Sequence, residues 1–548
     1  MANSVRAGVR ARLRGGEPVV QTTNQITGRR RWWALGAVML SMFFSALNQT
    51  TVSTALPVVI GELQGFTLYA WVFTAYMLAS AITVPIYGKL SDVYGRKPFY
   101  VLGLGLFIVG SAACGLVQNM PQLIVARAFQ GLGAGGMLSM PQATIGDIFN
   151  PRQRGRWLGL IASAFGIASV IGPTFGGWIT DHWGWRWVFY VNLPVAAVAL
   201  VAMLYALPTV RVERHVRVDW LGILFLVAGL VPLLLAFTWV GNEYSWLSAP
   251  ILLLFGASVL FLSLFALVER RAPSPIIAPE LFKNRLFLST TTLAFLVSMA
   301  MFGGIIFLPL FVQGVMGLSA QASGQIMTPM MLSLLVGSAL GGQMLTRTGR
   351  YRLQAFGGTI LMALGMFLLS RMGPQTTPLT VVRNVILVGF GIGSILPLLN
   401  VAVQNAFPYG MMGMVSATQQ FVRSLGGVIA APILGAVLVQ TFAADFTARL
   451  PSSVAAALRR LPAEQQAQLV DPQGLINAQT QAAIQSSFTS FGEQGAQLYE
   501  QFLQAVRLSL AAGTTQLFLL GLGVTLLALG LVFFMPEIPL QQDEFFEE

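Results

Sequence analysis

The sequence predicts an all-α integral membrane protein with fourteen spans. Of its 548 residues, 55% are hydrophobic and only 9% are charged, and the mean hydropathy is +0.71. Soluble chains carry about 25% charged residues, so this composition excludes a soluble globular protein. Apolar runs long enough to cross about 30 Å of hydrocarbon recur along the chain, with short links between most of them. The predicted spans are 33–57, 69–88, 98–118, 121–144, 157–180, 187–208, 219–240, 249–268, 286–312, 320–345, 353–372, 379–404, 414–441 and 508–535.

The distribution of charge predicts the orientation of the spans. The net charge is +12, which in a soluble chain would suggest a nucleic-acid partner. Here the basic residues lie mainly in alternate links, as they do in cytoplasmic loops. We therefore expect no nucleic-acid partner and a multi-pass protein of the bacterial inner membrane. Both termini, the basic segment 1–32 and the acidic tail 536–548, are expected in the cytoplasm.

Residue types that bind metals or perform catalysis are scarce. The chain has one cysteine, Cys114, within an apolar run, and two histidines, His182 and His215, far apart in the sequence. We expect no disulfide, no metal site, no cofactor and no enzymatic activity. A phosphate-binding loop of the form G-x-x-x-x-G-K-[ST] is not present, so the sequence does not support direct coupling to ATP.

An internal repeat indicates two copies of one six-helix unit. The residues that recur with the same spacing are Gly88, Gly95 and Arg96 in the first copy and Gly342, Gly349 and Arg350 in the second. The predicted domains are an N-terminal bundle at 33–208, a linker with two inserted spans at 209–285, and a C-terminal bundle at 286–535. A site between such halves, near the bilayer midplane, is typical of transporters. Alternatively, the glycines only allow helices to pack closely.

A charged link separates the second and third spans. It reads Gly88-Lys89-Leu90-Ser91-Asp92-Val93-Tyr94-Gly95-Arg96-Lys97-Pro98. Gly88 and Gly95 are predicted to allow close backbone approach and positive φ, and Asp92 is predicted to cap the following helix. Arg96 and Lys97 would hold the turn at the cytoplasmic surface. An ordinary basic loop is the simpler interpretation, but the string closely resembles the signature between spans 2 and 3 of the major facilitator superfamily of transporters.

The first span points to one branch of that superfamily. Its string Ala46-Leu47-Asn48-Gln49-Thr50-Thr51-Val52-Ser53-Thr54-Ala55-Leu56-Pro57 resembles the signature of the fourteen-span drug:proton antiporters. That pattern has an aspartate where this chain has Asn48. Asparagine cannot titrate, although it can still donate and accept hydrogen bonds. The resemblance implies a substrate and coupling role for Asn48 and Gln49, without the carboxyl that usually carries the proton.

The fourth span contains Arg127-Ala128-Phe129-Gln130-Gly131-Leu132-Gly133, which also resembles the family. A guanidinium within a span is costly unless it faces a wet cavity or a partner. The resemblance implies that Arg127 couples proton movement to cargo binding, and Gln130 lies one turn further on. It also implies that Asp147 pairs with Arg96 as a gate latch. The alternative is a structural arginine that forms a salt bridge or reaches the interface.

Two further spans carry family-like strings. In the fifth span, Gly172-Pro173 is expected to bend the helix, and nearby glycines are expected to admit a neighbouring helix. A plain helix kink is the alternative to a gate. The residues of this predicted gate are Gly166, Gly172, Pro173, Gly176 and Gly177. In the thirteenth span, Gln419 and Gln420 are predicted to face the cavity, with Arg423 opposite Asp92.

The longest segment outside the predicted spans is 443–507. Its apolar residues have amphipathic helical spacing, so we expect a helical cap or extensions of the adjoining helices on the outer side. A solvated, variable insertion is an equally good interpretation.

The sequence as a whole predicts a major facilitator fold with two pseudo-symmetric six-helix bundles and two inserted helices. The resemblance implies a monomeric multidrug exporter that works by alternating access. Its expected partners are small hydrophobic or cationic substrates, protons and membrane lipids. Two alternatives are an exporter of lipid, siderophore or another metabolite, and a receptor or sensor that does not transport.

Overall fold

The computed structural model describes residues 29–148, 151–207, 219–240, 244–272, 275, 277–407, 411–458, 485, 488 and 494–537. The side chains of some residues within its helices, including Asp92 and Asp147, lie outside this description. Most of the predicted basic amino terminus, the end of the acidic tail and the middle of the 443–507 segment also lie outside the described residues.

The described residues form helices joined by short links, with no β-strand and one isolated bridge between Val240 and Tyr244. In chain order the helices are α1 (Arg29–Leu63), α2 (Tyr69–Tyr94), α3 (Arg96–Leu116), α4 (Met120–Ile148), α5 (Pro151–Trp183), α6 (Trp187–Tyr190), α7 (Asn192–Ala206), α8 (Trp220–Trp239), α9 (Ala249–Arg271), α10 (Arg285–Leu310), α11 (Ala320–Thr348), α12 (Tyr351–Leu369), α13 (Pro378–Asn405), α14 (Met412–Arg449), α15 (Ser452–Leu458) and α16 (Gln494–Val532). A π-helical turn, Phe311–Val315, continues α10.

Thirteen of these helices are long and apolar enough to cross a membrane, counting only the described residues. The remaining predicted span, 157–180, lies within α5, a helix of 33 residues. The predicted count of fourteen spans therefore agrees with the helices of the structure to within one.

Short polar side chains at several helix starts accept hydrogen bonds from backbone N–H groups that lack a partner within the helix. Asp219 accepts from Gly222 N at the start of α8, and Asn284 accepts from Leu286 N and Phe287 N at the start of α10. Ser319 and Thr377 do the same for α11 and α13. These caps place the starts of four spans.

The pattern of helix neighbours occurs twice along the chain. In the first half α1 packs against α5 and α7, α2 against α4, and α3 against α4 and α7. In the second half α10 packs against α14 and α16, α11 against α13, and α12 against α13 and α16. The two halves are thus pseudo-symmetric bundles. The inserted helices α8 and α9 pack on each other, and α8 also contacts α2 and α14.

The link between α2 and α3 is shorter than the sequence predicted. Helix α2 continues through Asp92 to Tyr94, and Gly95, with φ of 91°, turns the chain directly into α3. Asp92 does not occupy the predicted N-cap position of α3, because it lies within α2 and Gly95 is the N-cap residue. The predicted close approach at Gly88 is not seen among the described residues, where a Cβ on Gly88 would meet no atom within 4 Å.

Two helices extend well beyond their predicted spans at the 443–507 segment. Helix α14 continues to Arg449, and α16 already begins at Gln494. Aromatic contacts join these extensions, because Phe446 packs edge-on against Phe502 and Phe442 stacks on Phe446. The expected extensions of the adjoining helices are therefore present among the described residues.

Candidate functional site

Arg127 lies inside the N-terminal bundle and is 0% exposed. Its Nη1 donates to Asn48 Oδ1 of α1 at 2.9 Å and to Gln130 Oε1 one turn along α4. Its Nε donates to the carbonyl oxygen of Val72 in α2 at 3.3 Å. The structure therefore joins three sequence-predicted site residues, Asn48, Arg127 and Gln130, in one network of hydrogen bonds.

Neighbours that the sequence did not indicate complete this cluster. Gln130 Nε2 donates to Ser111 Oγ of α3 at 2.6 Å. The Cζ atom of Arg127 lies 4.0 Å from the centre of the Tyr76 ring and 6.0 Å from that of Phe189. Aromatic faces attract a cation, so Tyr76 stabilises the guanidinium. No sequence pattern distinguishes this tyrosine from other aromatic residues of the apolar helices. We call Asn48, Tyr76, Ser111, Arg127 and Gln130 the Arg127 cluster.

Every group that contacts the Arg127 guanidinium among the described residues is neutral. Two nitrogen atoms of the cluster, Arg127 Nη2 and Asn48 Nδ2, are buried and have no hydrogen-bond partner among the described residues. Buried polar groups are nearly always paired, and a buried charge is costly when no opposite charge lies beside it. The cluster thus holds a positive charge and two N–H donors that the described residues leave uncompensated.

The predicted site residues of the C-terminal bundle form their own hydrogen bonds. Gln419 is buried and donates from Nε2 to Leu399 O at 3.2 Å. Arg423 Nη2 donates to Gln420 Oε1 at 2.7 Å, within α14. These bonds stay within α13 and α14 and do not reach the Arg127 cluster. Gln49 is half-buried in α1, next to Asn48.

The glycines of α5 pack against helices of both bundles. A Cβ on Gly172 would lie 1.9 Å from Thr50 Oγ1, and one on Gly176 would lie 2.6 Å from Thr51 Cα, both in α1. A Cβ on Gly177 would lie 2.2 Å from Ala320 O, and one on Gly166 would lie 2.8 Å from Leu335, both in α11. The absence of side chains at these positions therefore lets α5 fit closely between its own bundle and the opposite one.

The contact of α5 with α11 is a polar and glycine-lined seam, which we call the α5–α11 seam. Thr174 Oγ1 and Thr328 Oγ1 are 2.7 Å apart, and Asp181 Oδ2 accepts from Gln321 N at 2.8 Å. A Cβ on Gly324 would lie 2.1 Å from Pro173 O, so backbone meets backbone here. The Gly172-Pro173 motif thus lies directly at a contact between the two bundles.

A second seam joins α2 with α14. A Cβ on Gly427 of α14 would meet Met77 of α2 at 2.7 Å, and a Cβ on Gly435 would meet Ala70 at the same distance. Close by, the Tyr69 hydroxyl donates to Ile306 O, so α2 is also tied to α10. Both seams begin at the end of the bundles where α2 begins at Tyr69 and α5 ends at Trp183. We call this the tryptophan end, after Trp183 and Trp187.

The opposite end carries the basic link between α2 and α3. Arg96 Nη1 donates to Ser91 Oγ at 2.6 Å, and Lys97 Nζ donates to Leu204 O at 2.6 Å. The Lys97 bond ties this link to the end of α7. The predicted pairing of Arg96 with Asp147 involves a side chain outside the described set, as does the predicted position of Arg423 opposite Asp92, so both remain predictions.

Comparison with known proteins identifies the family. The model of the Major Facilitator Superfamily matches residues 38–431. The chain belongs to this superfamily. It is 39% identical over 460 residues to the "Multidrug transporter protein MdtP" of Bacillus subtilis (strain 168), covering 84% of each chain. It is 38% identical over 423 residues to "Multidrug resistance protein 3" of the same organism, covering 77% of this chain and 82% of the relative.

Solved transporter structures share the fold. One is a bacterial homologue of the human lysosomal transporter Spinster in an inward-facing, unoccupied conformation. It superposes with a TM-score of 0.64 at 16% identity, covering 94% of this chain and all of the other. The major facilitator fold, with two pseudo-symmetric six-helix bundles and two inserted helices, is therefore shown.

Proposed function

We propose that this major facilitator protein exports hydrophobic or amphipathic small molecules across the membrane by alternating access. The observation that carries the proposal is the Arg127 cluster, a buried cation held by α1, α2, α3 and α4 within one bundle. A protein that needed only stability would gain little from a buried charge without a counter-charge. Charged groups inside membrane bundles typically mark transport pathways. The names of the two Bacillus relatives support multidrug cargo.

The two seams support the alternating-access mechanism. They close the bundles against each other from the tryptophan end, and their backbone contacts at Gly177 and Gly324 permit close docking without interlocked side chains. Rocking one bundle against the other would separate such surfaces with little repacking. We infer that the structure represents a state closed at the tryptophan end, and the charge distribution supports an outer position for that end.

We propose protons as the coupling ion from the family resemblance, with the carrier elsewhere than position 48, because Asn48 cannot titrate. Among the described residues, Glu269 is the one carboxylate whose residue is fully buried, at 2% exposed. Its Oε2 accepts from Ile277 N at 3.3 Å, so it ties the end of α9 to the following link. That position is remote in the chain from the Arg127 cluster and indicates a structural role.

The alternative function, an exporter of lipids or other metabolites, would be favoured by a hydrophobic groove in the 443–507 segment. A cavity of about 860 Å³ does open there, between the α12–α13 link and the start of α16. Its described lining combines polar and charged side chains, such as Gln375, Glu500 and Arg507, with Leu503 and Leu508. Drug-like cargo is the proposal that the names of the two Bacillus relatives support.

Efflux from reconstituted vesicles tests the proposed function. Vesicles that contain the unmodified protein should lose ethidium when they are loaded with the dye and given an imposed pH gradient. Arg127→Ala should reduce this efflux to background while membrane insertion is unchanged, because Asn48 and Gln130 lose their shared donor. Arg383→Ala is the matched control, since Arg383 is an exposed arginine in α13. Near-normal efflux by Arg127→Ala would refute the proposed role.

A further inference from the structure

We infer that Arg127 and Asn48 form a binding site for one monovalent anion, either chloride or a carboxylate group. The site goes beyond the proposed function, and anion binding can be measured whether or not the protein transports. The inference rests on the charge of the Arg127 cluster, on its two unpartnered donors and on their position.

The charge of the cluster is the first argument. An arginine side chain stays protonated in proteins, so the wholly buried Arg127 carries a full positive charge. Its described partners are amide oxygens, a backbone carbonyl and aromatic rings, none of which carries a negative charge. A buried charge is strongly destabilised unless an opposite charge compensates it. One bound anion would neutralise the cluster.

The two unpartnered donors are the second argument. Arg127 offers only donors, so the amide oxygen of Asn48 must face it, and the amide nitrogen must point elsewhere. Arg127 Nη2 is bonded to the same carbon as Nη1, the donor of the 2.9 Å hydrogen bond between the two residues. Asn48 Nδ2 is bonded to the same carbon as Oδ1, the acceptor of that bond. Both nitrogens are buried and have no hydrogen-bond partner in the part of the chain that the structure describes. Each nitrogen calls for a group that accepts hydrogen bonds, and an anion is such a group.

The surroundings of the guanidinium restrict how the anion approaches. The ring of Tyr76 lies 4.0 Å from Cζ, while Nη1 and Nε are occupied by Asn48, Gln130 and the Val72 carbonyl. The unpartnered donor that remains on Arg127 is Nη2. The site therefore matches an acceptor with one negative charge, such as a halide or a carboxylate. Chloride from solution and a carboxylate on a cargo molecule share this chemistry.

Direct binding to the purified full-length protein tests the inference. Radioactive chloride should bind saturably with about one ion per chain, and added sodium chloride should raise the unfolding temperature of the unmodified chain but not that of Asn48→Asp. Asn48→Asp should weaken chloride binding at least tenfold, because it places a carboxylate beside Arg127. Arg127→Gln should abolish binding, and Arg383→Gln, the matched control, should leave it unchanged.

A second arm separates the two sources of the anion. If chloride binds and Asn48→Asp removes the binding, the ligand is a free anion. If chloride does not bind, but benzoate raises the unfolding temperature of the unmodified chain and not that of Asn48→Asp, the site binds a carboxylate. If neither anion has an effect, or if Asn48→Asp responds as the unmodified chain does, the inference is overturned. Asn48→Asp keeps the test decisive even if Arg127→Gln does not fold.

Discussion

At position 127 the structure requires a guanidinium and not only a positive charge. Arg127 donates to Asn48, Gln130 and Val72 at once, and its planar group lies against the Tyr76 ring. The ammonium group of a lysine is a compact point charge, so it cannot reproduce these three hydrogen bonds and the flat contact with the ring. We predict that Arg127→Lys lowers ethidium efflux at least tenfold. Arg383→Lys, at an exposed position, should retain efflux, and an Arg127→Lys protein of normal activity would show that charge alone suffices.

Position 48 decides whether the cluster can respond to pH. Asn48→Asp introduces a carboxyl group, which the present cluster lacks, next to Arg127 Nη1. We predict that efflux by this variant depends on pH over the titration range of the new acid, beyond any dependence in the unmodified chain. Asn384→Asp is the matched control. Asn384 lies in the C-terminal bundle, is buried, and accepts a hydrogen bond from Arg383. An unchanged pH profile for Asn48→Asp would exclude position 48 as a coupling site.

The sequence predicted part of this cluster. Asn48, Arg127 and Gln130 were found because polar residues within apolar spans are conspicuous and because the strings around them resemble the family. Tyr76 and Ser111 were not found. Aromatic and hydroxyl residues are common in membrane helices, and which of them faces an arginine depends on helix rotation, which short sequence patterns do not determine.

At the scale of helices, the fit of α5 against α11 depends on the absence of side chains. A Cβ on Gly177 would lie 2.2 Å from the Ala320 carbonyl oxygen. Overpacking of this kind costs about 1–3 kcal/mol, which corresponds to about a 5–150-fold change in a population ratio. We predict that Gly177→Ala shifts the protein toward a state in which the seam is open.

Spin-label distances measure that shift. Labels on cysteines at positions 182 and 375, with Cys114 replaced, report on the separation of the bundles at the tryptophan end. Gly177→Ala should increase the population of long distances. Gly357→Ala is the matched control, since a Cβ there meets no atom within 4 Å. Identical distance distributions for both variants would mean that the seam does not limit the closed state.

Helix positions were predicted well and helix ends less well, for a physical reason. Apolar length identifies the part of a helix that crosses hydrocarbon, but a helix continues wherever its backbone hydrogen bonds can form. Helix α2 therefore runs past its predicted end at 88 to Tyr94, and α16 begins at Gln494 and not at 508. The charged residues that suggested a link between spans 2 and 3 lie partly on the last turns of α2.

At the scale of the whole molecule, the internal repeat predicted the duplication of helix neighbours but not which surfaces meet. Thr174 and Thr328, and Tyr69 and the Ile306 carbonyl, are far apart in sequence and belong to different bundles. Short sequence patterns do not determine which residues meet between elements so far apart in the chain. The glycines of α5 were the exception, because close packing limits residue size at those positions in any closed state.

We propose that the bundles separate at the α5–α11 seam in each transport cycle. Thr174→Cys combined with Thr328→Cys places two thiols where the hydroxyl oxygens are 2.7 Å apart, and Cys114 can be replaced so that no other cysteine remains. Ethidium efflux by this double variant, measured before oxidation, after disulfide formation and after reduction, tests the claim most directly. If the bundles separate at this seam, oxidation should reduce efflux to background and reduction should restore it. Full efflux by a completely cross-linked protein would contradict it.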